Sequence, residues 1–270
     1  MTSVTRIDFD EIDSTQLEVR RRLEPSPAQP PFLVCARKQT AGRGRMGRSW
    51  SGAPGATLMC SIWCPTPGAP TDTVALTPLA AGVGVIEWLD QWAPGLMLKW
   101  PNDILAPTGG KIAGILCEGI WQNQELAGTI VGIGINVRRP PDAESIEANG
   151  RPVSALADLC NPDWHALNHN LTTLADSICQ DIDQLLQGNT SNLIDTVNQR
   201  LARTARAVRL MRFESENTLG YIEGVSARGH LLFRHVEDGR IEEIASGELI
   251  LPDQGIEGYP QKGTARASDG

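Results

Sequence analysis

The sequence predicts an α+β fold, in which a large mixed sheet flanked by helices is followed by a small β-rich domain. Strand-like apolar runs and helical patterns alternate through most of the 270 residues. From about Ala205 onwards the pattern changes to short strands separated by turn residues. The last residues are rich in glycine, proline and charge and contain few apolar groups. We therefore expect one large domain over 1–204, a small β-barrel over 205–252 and a disordered tail over 253–270.

Apolar runs of strand length predict the strands of both domains. In the larger domain these runs cover 32–36, 57–64, 96–100, 111–121 and 126–137. In the smaller domain they cover 208–213, 218–225, 230–236 and 241–251, and Gly239 belongs to a hairpin turn. Short strands of this kind predict the small barrel.

Four segments carry the signals of helices. Thr15 and Glu18 have the spacing of a capping box, so a short helix should begin near Thr15. The segment 74–92 is apolar on most sides, which predicts a largely buried helix. Apolar residues recur at helical spacing in 171–186 and 193–201, which predicts amphipathic helices there.

The charge and the apolar runs exclude several classes of protein. A net charge of -8 and a pI near 5.1 argue against a non-specific binder of nucleic acid or of a membrane surface. The N-terminus lacks the pattern of a signal peptide, and no apolar run reaches the roughly 18 residues of a membrane span. The six cysteines lack zinc-ligand spacing, so we expect buried free thiols. We predict a cytoplasmic protein.

One basic loop contrasts with this acidic background. Residues 42–48 read Gly-Arg-Gly-Arg-Met-Gly-Arg, and no acidic residue occurs between Glu24 and Asp72. The glycines allow positive φ, and an extended conformation would place Arg43 and Arg45 on the same side. Such a loop can bind a carboxylate or a polyphosphate through charge-assisted hydrogen bonds. The alternative is a solvated arginine-rich loop.

Three further motifs lie at or near strand ends, where binding residues are often found. Residues 99–103 read Lys-Trp-Pro-Asn-Asp, which is also an ordinary turn sequence. Lys111 opens a strand that contains small residues, among them Gly114. Residues 132–136 read Gly-Ile-Gly-Ile-Asn, and Asn136 offers both donors and an acceptor. Glycines inside a strand leave room for a ligand against the backbone, or for a closely packed helix.

In this order the motifs resemble those of bacterial biotin protein ligases. The resemblance rests on Asp13-Ser14-Thr15, on the basic loop with Trp50, and on residues 99–103, 110–118 and 132–136. It implies a catalytic domain related to class II aminoacyl-tRNA synthetases and lipoyl ligases, followed by an SH3-like barrel. The segment beginning at Ile7 follows Met1 so closely that we expect the monofunctional type, without an N-terminal helix-turn-helix domain and without DNA binding.

The resemblance implies a two-step activity. Biotin reacts with ATP in the presence of Mg²⁺ to give biotinyl-5′-AMP, and is then transferred to a lysine of the biotin carboxyl carrier domain of a carboxylase. The implied catalytic residues are Lys111, Arg45 and Arg43. The implied biotin-binding residues are Ser14, Thr15, Gln16, Gln39, Arg43, Gly44, Arg45, Lys111 and Gly114. The implied ATP- and adenylate-binding residues are Arg48, Trp50, Lys99, Asn102, Asp103 and Asn136, with Asp103 also as the Mg²⁺ contact.

Other interpretations stay open. A lipoate or octanoate ligase or transferase of the same fold would share the lysine but would need an apolar acyl tunnel. A non-catalytic sensor of biotin or of a nucleotide is a second alternative, and a homodimer through an exposed sheet edge also stays open. Met46 stands where some family members have a basic residue, which lowers the charge of the loop. We expect the empty loop to be poorly ordered and to order over the adenylate.

Overall fold

The computed structural model describes residues 4–70, 73–148, 152–212, 217–252 and 256–257. The helices are α1 Thr15–Leu23, α2 Thr73–Leu89, α3 Ala143–Ala148, α4 Trp164–His169, α5 Leu171–Leu186 and α6 Thr190–Arg200. The strands are β1 Thr5–Ile12, β2 Phe32–Gln39, β3 Thr57–Pro65, β4 Met97–Lys99, β5 Asp103–Leu105, β6 Lys111–Gln122, β7 Glu125–Asn136, β8 Arg203–Thr204, β9 Val208–Met211, β10 Thr218–Val225, β11 Leu231–His235, β12 Ile241–Ile244, β13 Glu248–Ile250 and β14 Ile256–Glu257.

The larger sheet has seven strands within the described residues, in the order β1-β2-β3-β7-β6-β5-β4. β1 and β2 are parallel, whereas the other neighbours are antiparallel. The predicted mixed sheet is therefore confirmed. The apolar runs do not predict β1 and β5. β1 has no fully buried residue and β5 has three residues, so neither contains a buried apolar run of detectable length.

α2 is the central helix of the packing against the larger sheet. It contacts β6 and β7 as well as α5 and α6, which is why most of its surface is apolar. A Cβ at Gly82 would lie 2.6 Å from Leu98, and one at Gly84 would lie 3.1 Å from Ile178. The two glycines therefore allow the helix to approach its neighbours closely, and close packing offsets their low helix propensity.

The predicted start of α1 at Thr15 is confirmed, but its cap differs from the expected capping box. Ser14 is the N-cap, and its hydroxyl accepts a long hydrogen bond of 3.5 Å from the Leu17 N–H. The Thr15 side chain is buried and contacts Gln39 and Ser61 instead. Because Gln39 also accepts the Thr15 N–H, the first turn of α1 faces into the protein.

The smaller sheet has five antiparallel strands in the described part of the chain, in the order β12-β11-β10-β9-β13. The predicted change to short strands is thereby confirmed, while the domain boundary at 204 and 205 stays a prediction. Trp100 Nε1 donates to the Gly229 carbonyl at 3.1 Å, in a buried contact between the loops after β4 and β10. Buried residues of both sheets belong to one apolar cluster, so the smaller sheet packs directly on the larger domain.

Of the predicted tail, 253–270, the structure describes residues 256–257. They form β14, in which Ile256 pairs with Thr204 of β8, and the predicted disorder of the tail stays a prediction. The rest of 253–270 lies outside the described residues. Within the described ranges, no helix is long and apolar enough to cross a membrane.

All six cysteines are free thiols, as predicted, but only Cys35, Cys60 and Cys64 are buried, whereas the other three are half-buried. Burial raises the pKa of Cys35 to about 12 and raises that of Cys60 as well. A thiol with a raised pKa carries little thiolate at neutral pH, so these two side chains have a packing role.

Candidate active site

A cavity opens between the start of α1, the basic loop and the middle of β6 and β7. Its volume is about 850 Å³ when the space open to solvent is included. Every predicted site residue except Asn136 lies in its wall. These residues are Ser14, Thr15, Gln16, Gln39, Arg43, Gly44, Arg45, Arg48, Trp50, Lys99, Asn102, Asp103, Lys111 and Gly114.

The part of the cavity formed by α1, β2 and β3, here called the neutral end, is lined by uncharged polar side chains. Ser14, Thr15, Gln16 and Ser61 are each at most 3% exposed. Gln39 Oε1 accepts the Thr15 N–H at 2.7 Å, and the hydroxyls of Thr15 and Ser61 lie 2.8 Å apart. Ser61 Oγ donates to Gln16 Oε1 at 3.0 Å. These contacts form one continuous polar network.

The glycines of β6 and β7 make room for side chains of the cavity wall. Gly114 and Gly134 are opposite each other, and a Cβ at either would lie within 3.0 Å of the Trp50 ring. Two residues earlier on β7, a Cβ at Gly132 would lie 2.5 Å from Gln16 Oε1. The space that the sequence assigned to a ligand or to a packed helix is therefore filled by wall residues, because the side chains of Trp50 and Gln16 lie directly on the strands.

The opposite part of the cavity is here called the charged end. It contains Lys111, Lys99, Asp103 and the arginines of the basic loop. Lys111 Nζ is 2.6 Å from Asp103 Oδ1, and Lys99 Nζ is 3.8 Å from Asp103 Oδ2. Burial alone would raise the pKa of Asp103, but the charges of Lys111, Lys99 and Arg45 outweigh burial and lower this pKa below its usual value. Asp103 is therefore a carboxylate at neutral pH, held between two ammonium groups.

The basic loop is folded back on itself, and so it does not have the extended conformation that would place Arg43 and Arg45 on the same side. The Gly44 N–H donates to the Arg48 carbonyl at 2.8 Å, and Arg45–Gly47 forms a 3-10 turn. Positive φ occurs at Met46 (59°) and Gly47 (71°), and not at the other two glycines. Because the turn reverses the chain, alternation along a strand does not decide the directions of the arginines.

Two arginines of the loop are anchored to distant parts of the chain. Arg45 Nη1 donates to Asn102 Oδ1 at 2.8 Å, and Asn102 Nδ2 donates to the Ile115 carbonyl at 2.8 Å. Burial lowers the pKa of Arg45. Arg48 makes two hydrogen bonds with Glu248 at the start of β13, one of them 3.0 Å long. The smaller sheet thus contributes a side chain to the cavity wall.

Arg43 and Trp50 offer donors that have no protein partner among the described residues. The Arg43 guanidinium is exposed and makes neither a hydrogen bond nor an ion pair there, while its backbone pairs with Ser49. Trp50 Nε1 is buried and makes no hydrogen bond either. Lys111 Nζ lies 5.4 Å from the centroid of the Trp50 ring. A buried donor without a protein partner commonly binds water or a ligand.

Asn136 lies outside the cavity wall, and its predicted contact with the nucleotide stays a prediction. It is 5% exposed, and its Nδ2 donates to the carbonyls of Ser154 at 3.2 Å and of Lys111 at 3.4 Å. Backbone carbonyls therefore take up its donors, since Asn136 lies at the end of β7 beside the first residue of β6. Asn136 supports the backbone of Lys111.

The residues around Asp103, the predicted Mg²⁺ contact, do not fit a protein-held metal ion. In the ranges that the structure describes, no group of three or more His, Cys, Asp or Glu side chains could hold one. Asp103 is the acidic partner of both Lys111 and Lys99. Hard cations prefer several oxygen ligands, and two ammonium groups oppose a third cation at the same carboxylate.

Two residues of the cavity wall, Ser61 and Glu248, are not among the site residues that the sequence predicts. Ser61 is a hydroxyl residue within the otherwise apolar run 58–64, and that interruption is a signal that could have identified it. Glu248 lies 200 positions beyond Arg48 and in the other sheet. No local pattern connects such a pair.

Comparison with known proteins defines the class to which this fold and cavity belong. The model of the biotin/lipoate A/B protein ligase family matches residues 9–136. A biotin–(acetyl-CoA-carboxylase) ligase of Paracoccus denitrificans is 32% identical over 230 residues, which cover 82% of this chain and 91% of that protein. The chain therefore belongs to the biotin/lipoate A/B protein ligase family, within which it is similar to the biotin protein ligases.

Further relatives agree with this assignment. The bifunctional ligase/repressor BirA of Bacillus subtilis (strain 168) is 38% identical over 138 residues, and the match covers 50% of this chain and 41% of that protein. This chain thus matches less than half the length of that relative. A structure of biotin protein ligase from Aquifex aeolicus in complex with biotin and ATP has 27% identity and a TM-score of 0.72, over 91% of this chain and 97% of that one. The predicted fold class is confirmed.

Proposed function

We propose that the protein is a biotin protein ligase that catalyses two steps in this cavity. In the first, a carboxylate oxygen of biotin attacks the α-phosphorus of ATP, which gives biotinyl-5′-AMP and releases pyrophosphate. In the second, the amine of a lysine on the biotin carboxyl carrier domain of a carboxylase attacks the acyl carbon, forms an amide and releases AMP. The names of the Paracoccus relative and of the Aquifex structure support this proposal.

One observation carries the proposal: a neutral, buried end and a positively charged end share one cavity. The ring system of biotin is uncharged and needs donors and acceptors, which the network of Thr15, Gln16 and Gln39 supplies. Its carboxylate and the phosphates of ATP are anions, which suit Lys111 and the arginines of the basic loop. A ligand with one neutral end and one anionic end therefore matches both parts.

The charged end can lower the barrier of the first step. Two unit charges about 4 Å apart repel by about 4 kcal/mol at an effective dielectric constant of about 20. Lys111, Arg45 and Arg43 would offset this repulsion between carboxylate and phosphate. Asn102 and Asp103 already hold Arg45 and Lys111 in place, and donors oriented before binding stabilise a transition state without reorganisation.

The remaining wall residues take roles that follow from their positions. Ser14 lies beside the neutral network, Gly44 belongs to the wall near the carboxylate, and Gly114 makes room for the side chains of Trp50 and Lys111. Arg48, Lys99 and the free N–H of Trp50 are suited to the nucleotide. In the second step Lys111 would polarise the acyl oxygen while AMP leaves.

Mg²⁺ enters under this proposal as part of the ATP substrate, bound to the phosphates. No reaction step is assigned to a metal held by Asp103, because that carboxylate is paired with two lysines. Asp103 is assigned instead to the positioning of Lys111. Cytoplasmic location, absence of DNA binding and a homodimer through a sheet edge stay predictions.

The polar character of the neutral end favours biotin over lipoate or octanoate. An apolar acyl chain or a dithiolane ring would offer no partner to the amide donors of Gln16 and Gln39 that the network leaves unused, and an unmet buried group costs about 1–3 kcal/mol. A non-catalytic sensor would bind the same ligand, but would not need Lys111 and Arg45 to be preoriented.

Isotope exchange tests the proposal directly. The purified chain is expected to catalyse biotin-dependent exchange of labelled pyrophosphate into ATP. Exchange with lipoate or octanoate, but not with biotin, would assign the other branch of the family. Binding of biotin without any exchange would indicate a sensor. A mass increase on candidate carrier domains, measured after incubation with biotin and ATP, would identify the acceptor.

A further inference from the structure

We infer that Ser61 is a further specificity-determining residue, whose hydroxyl orders the hydrogen bonds of the neutral end to complement a cyclic urea. The inference rests on the proposed function, since biotin contains such a ring. Ser61 lies in the middle of β3, outside all the motifs on which the family resemblance rests. It is 1% exposed and belongs to the cavity wall.

Two backbone groups set the orientation of the network, because their polarity cannot change. The Leu116 carbonyl can only accept, so Gln16 directs Nε2 toward it at 3.4 Å and Oε1 toward Ser61. The Thr15 N–H can only donate, so Gln39 directs Oε1 toward it at 2.7 Å. Turning over the amide of Gln16 or Gln39 would place two acceptors or two donors against each other.

Ser61 transmits this orientation because a hydroxyl group has one hydrogen to donate. It donates that hydrogen to Gln16 Oε1 at 3.0 Å, so it must accept at its 2.8 Å contact with Thr15. The hydroxyl hydrogen of Thr15 is thereby committed to Ser61, and the longer 3.2 Å contact between Thr15 and Gln39 becomes secondary. The order of donation is Thr15 to Ser61 to Gln16.

This order decides which groups remain for a ligand. Gln39 Nε2 has no partner among the described residues, and Gln16 Nε2 has a second hydrogen, so both amides keep donors. Thr15 Oγ has used its hydrogen and keeps a lone pair as an acceptor. A cyclic urea presents one carbonyl acceptor flanked by two N–H donors, and therefore needs both kinds of partner. A dithiolane ring presents neither.

Loss of the Ser61 hydroxyl removes the link between the two backbone groups. Gln16 Oε1 then loses its donor, and the Thr15 hydroxyl can turn toward Gln39 Oε1. A buried acceptor without a donor costs about as much as a hydrogen bond is worth in the folded protein. The donors and the acceptor that the urea ring needs are then no longer held in one orientation, so the penalty should appear in the affinity for that ring.

The test is Ser61→Ala, measured by calorimetric titration with biotin and with desthiobiotin, which keeps the urea ring but lacks the sulfur. The Kd for both ligands is expected to rise about tenfold, while the KM for ATP stays within about twofold. Thr57→Val is the matched control. It removes a buried hydroxyl from the same face of β3, and that hydroxyl has no partner within the described residues and lies outside the cavity wall.

The control variant is expected to bind both ligands like the unmodified chain. A double variant of Ser61→Ala with Thr15→Val should lose no more affinity for biotin than Thr15→Val alone. The reason is that both changes interrupt the same chain of hydrogen bonds from Thr15 through Ser61 to Gln16. An unchanged Kd in Ser61→Ala, a loss confined to biotin, an equal loss in Thr57→Val, or additive losses in the double variant would each overturn the inference. If the unmodified chain binds neither ligand, the proposed function fails together with it.

Discussion

The two ends of the cavity are constructed in different ways. The neutral end comes from α1, β2 and β3, and its hydroxyls are almost fully buried. The charged end combines the basic loop, the segment after β4, the first residue of β6 and the start of β13. Its ion pairs are partly exposed, with 34% of the Arg48 side chain and 32% of the Lys111 side chain accessible.

This difference indicates what each end contributes. Buried hydrogen bonds between neutral groups are insensitive to salt and impose strict complementarity, because an unmet partner is costly. Partly exposed charges interact over longer distances but are screened, and each pair adds little stability. We therefore expect changes at the neutral end to alter ligand affinity and changes at the charged end to alter rate and nucleotide use.

The largest expected effect is that of Lys111→Ala at the charged end. Loss of the ammonium group should lower biotin-dependent pyrophosphate exchange by at least about 1000-fold, because the charge acts on the transition state. The Kd for biotin methyl ester, which lacks the carboxylate charge, should change by less than about threefold. Lys38→Ala, at an exposed lysine paired with Glu11, is the control. Near-normal exchange in Lys111→Ala would remove this residue from the mechanism.

Asp103→Asn is expected to lower exchange about 10- to 100-fold, because the Lys111 ammonium loses the carboxylate that orients it. The KM for Mg²⁺, measured at fixed ATP, should stay unchanged. A large rise in that KM with unaltered exchange at saturating Mg²⁺ would instead support a metal contact.

The pH dependence of the stability of the unmodified chain provides a second test of the ion pair between Asp103 and Lys111. The pKa of Asp103 is lowered from the usual 3.8, so any stability from the Lys111 pair is complete above that value. This stability is lost only as the pH falls through the lowered pKa, when the carboxyl group takes up a proton. Thermal unfolding followed from pH 7 to pH 3 should therefore show that Asp103→Asn differs from the unmodified chain down to about pH 4 and converges below it.

Glu248→Gln should raise the KM for ATP by about three- to tenfold and leave the Kd for biotin methyl ester unchanged. The reason is that Arg48 loses its charged anchor on β13 while the neutral end is untouched. Glu237→Gln, at an exposed glutamate of the hairpin turn after β11, is the matched control. A KM for ATP equal to that of the control would show that Glu248, and with it the smaller sheet, does not contribute to ATP binding.

Salt should produce the smallest change. Raising the ionic strength from about 0.05 to about 0.5 M shortens the screening length from about 14 to about 4 Å. The KM for ATP should rise a few-fold, whereas the Kd for biotin methyl ester should stay constant. Parallel responses of the two constants would contradict the division of the cavity into a neutral and a charged end.

The sequence predicted much of the site because its motifs are local. Ser14 to Gln16, the basic loop, residues 99–103 and Lys111 each lie in short segments whose residue types show their chemistry. The long strands were also predictable, since buried apolar runs such as 57–64 are detectable by themselves. β1 and β5 were not, because one buries too little and the other is too short.

The sequence by itself determined the two kinds of side chain in the cavity, the α+β fold class and the family, because residue type and spacing are local properties. Only the tertiary structure decided that Glu248 anchors Arg48, that Asn136 serves the backbone of Lys111, and that Ser61 joins Thr15 to Gln16. The physical reason is the same in each case. Hydrogen bonds and ion pairs form between groups a few ångströms apart, and the fold alone brings distant positions to that distance.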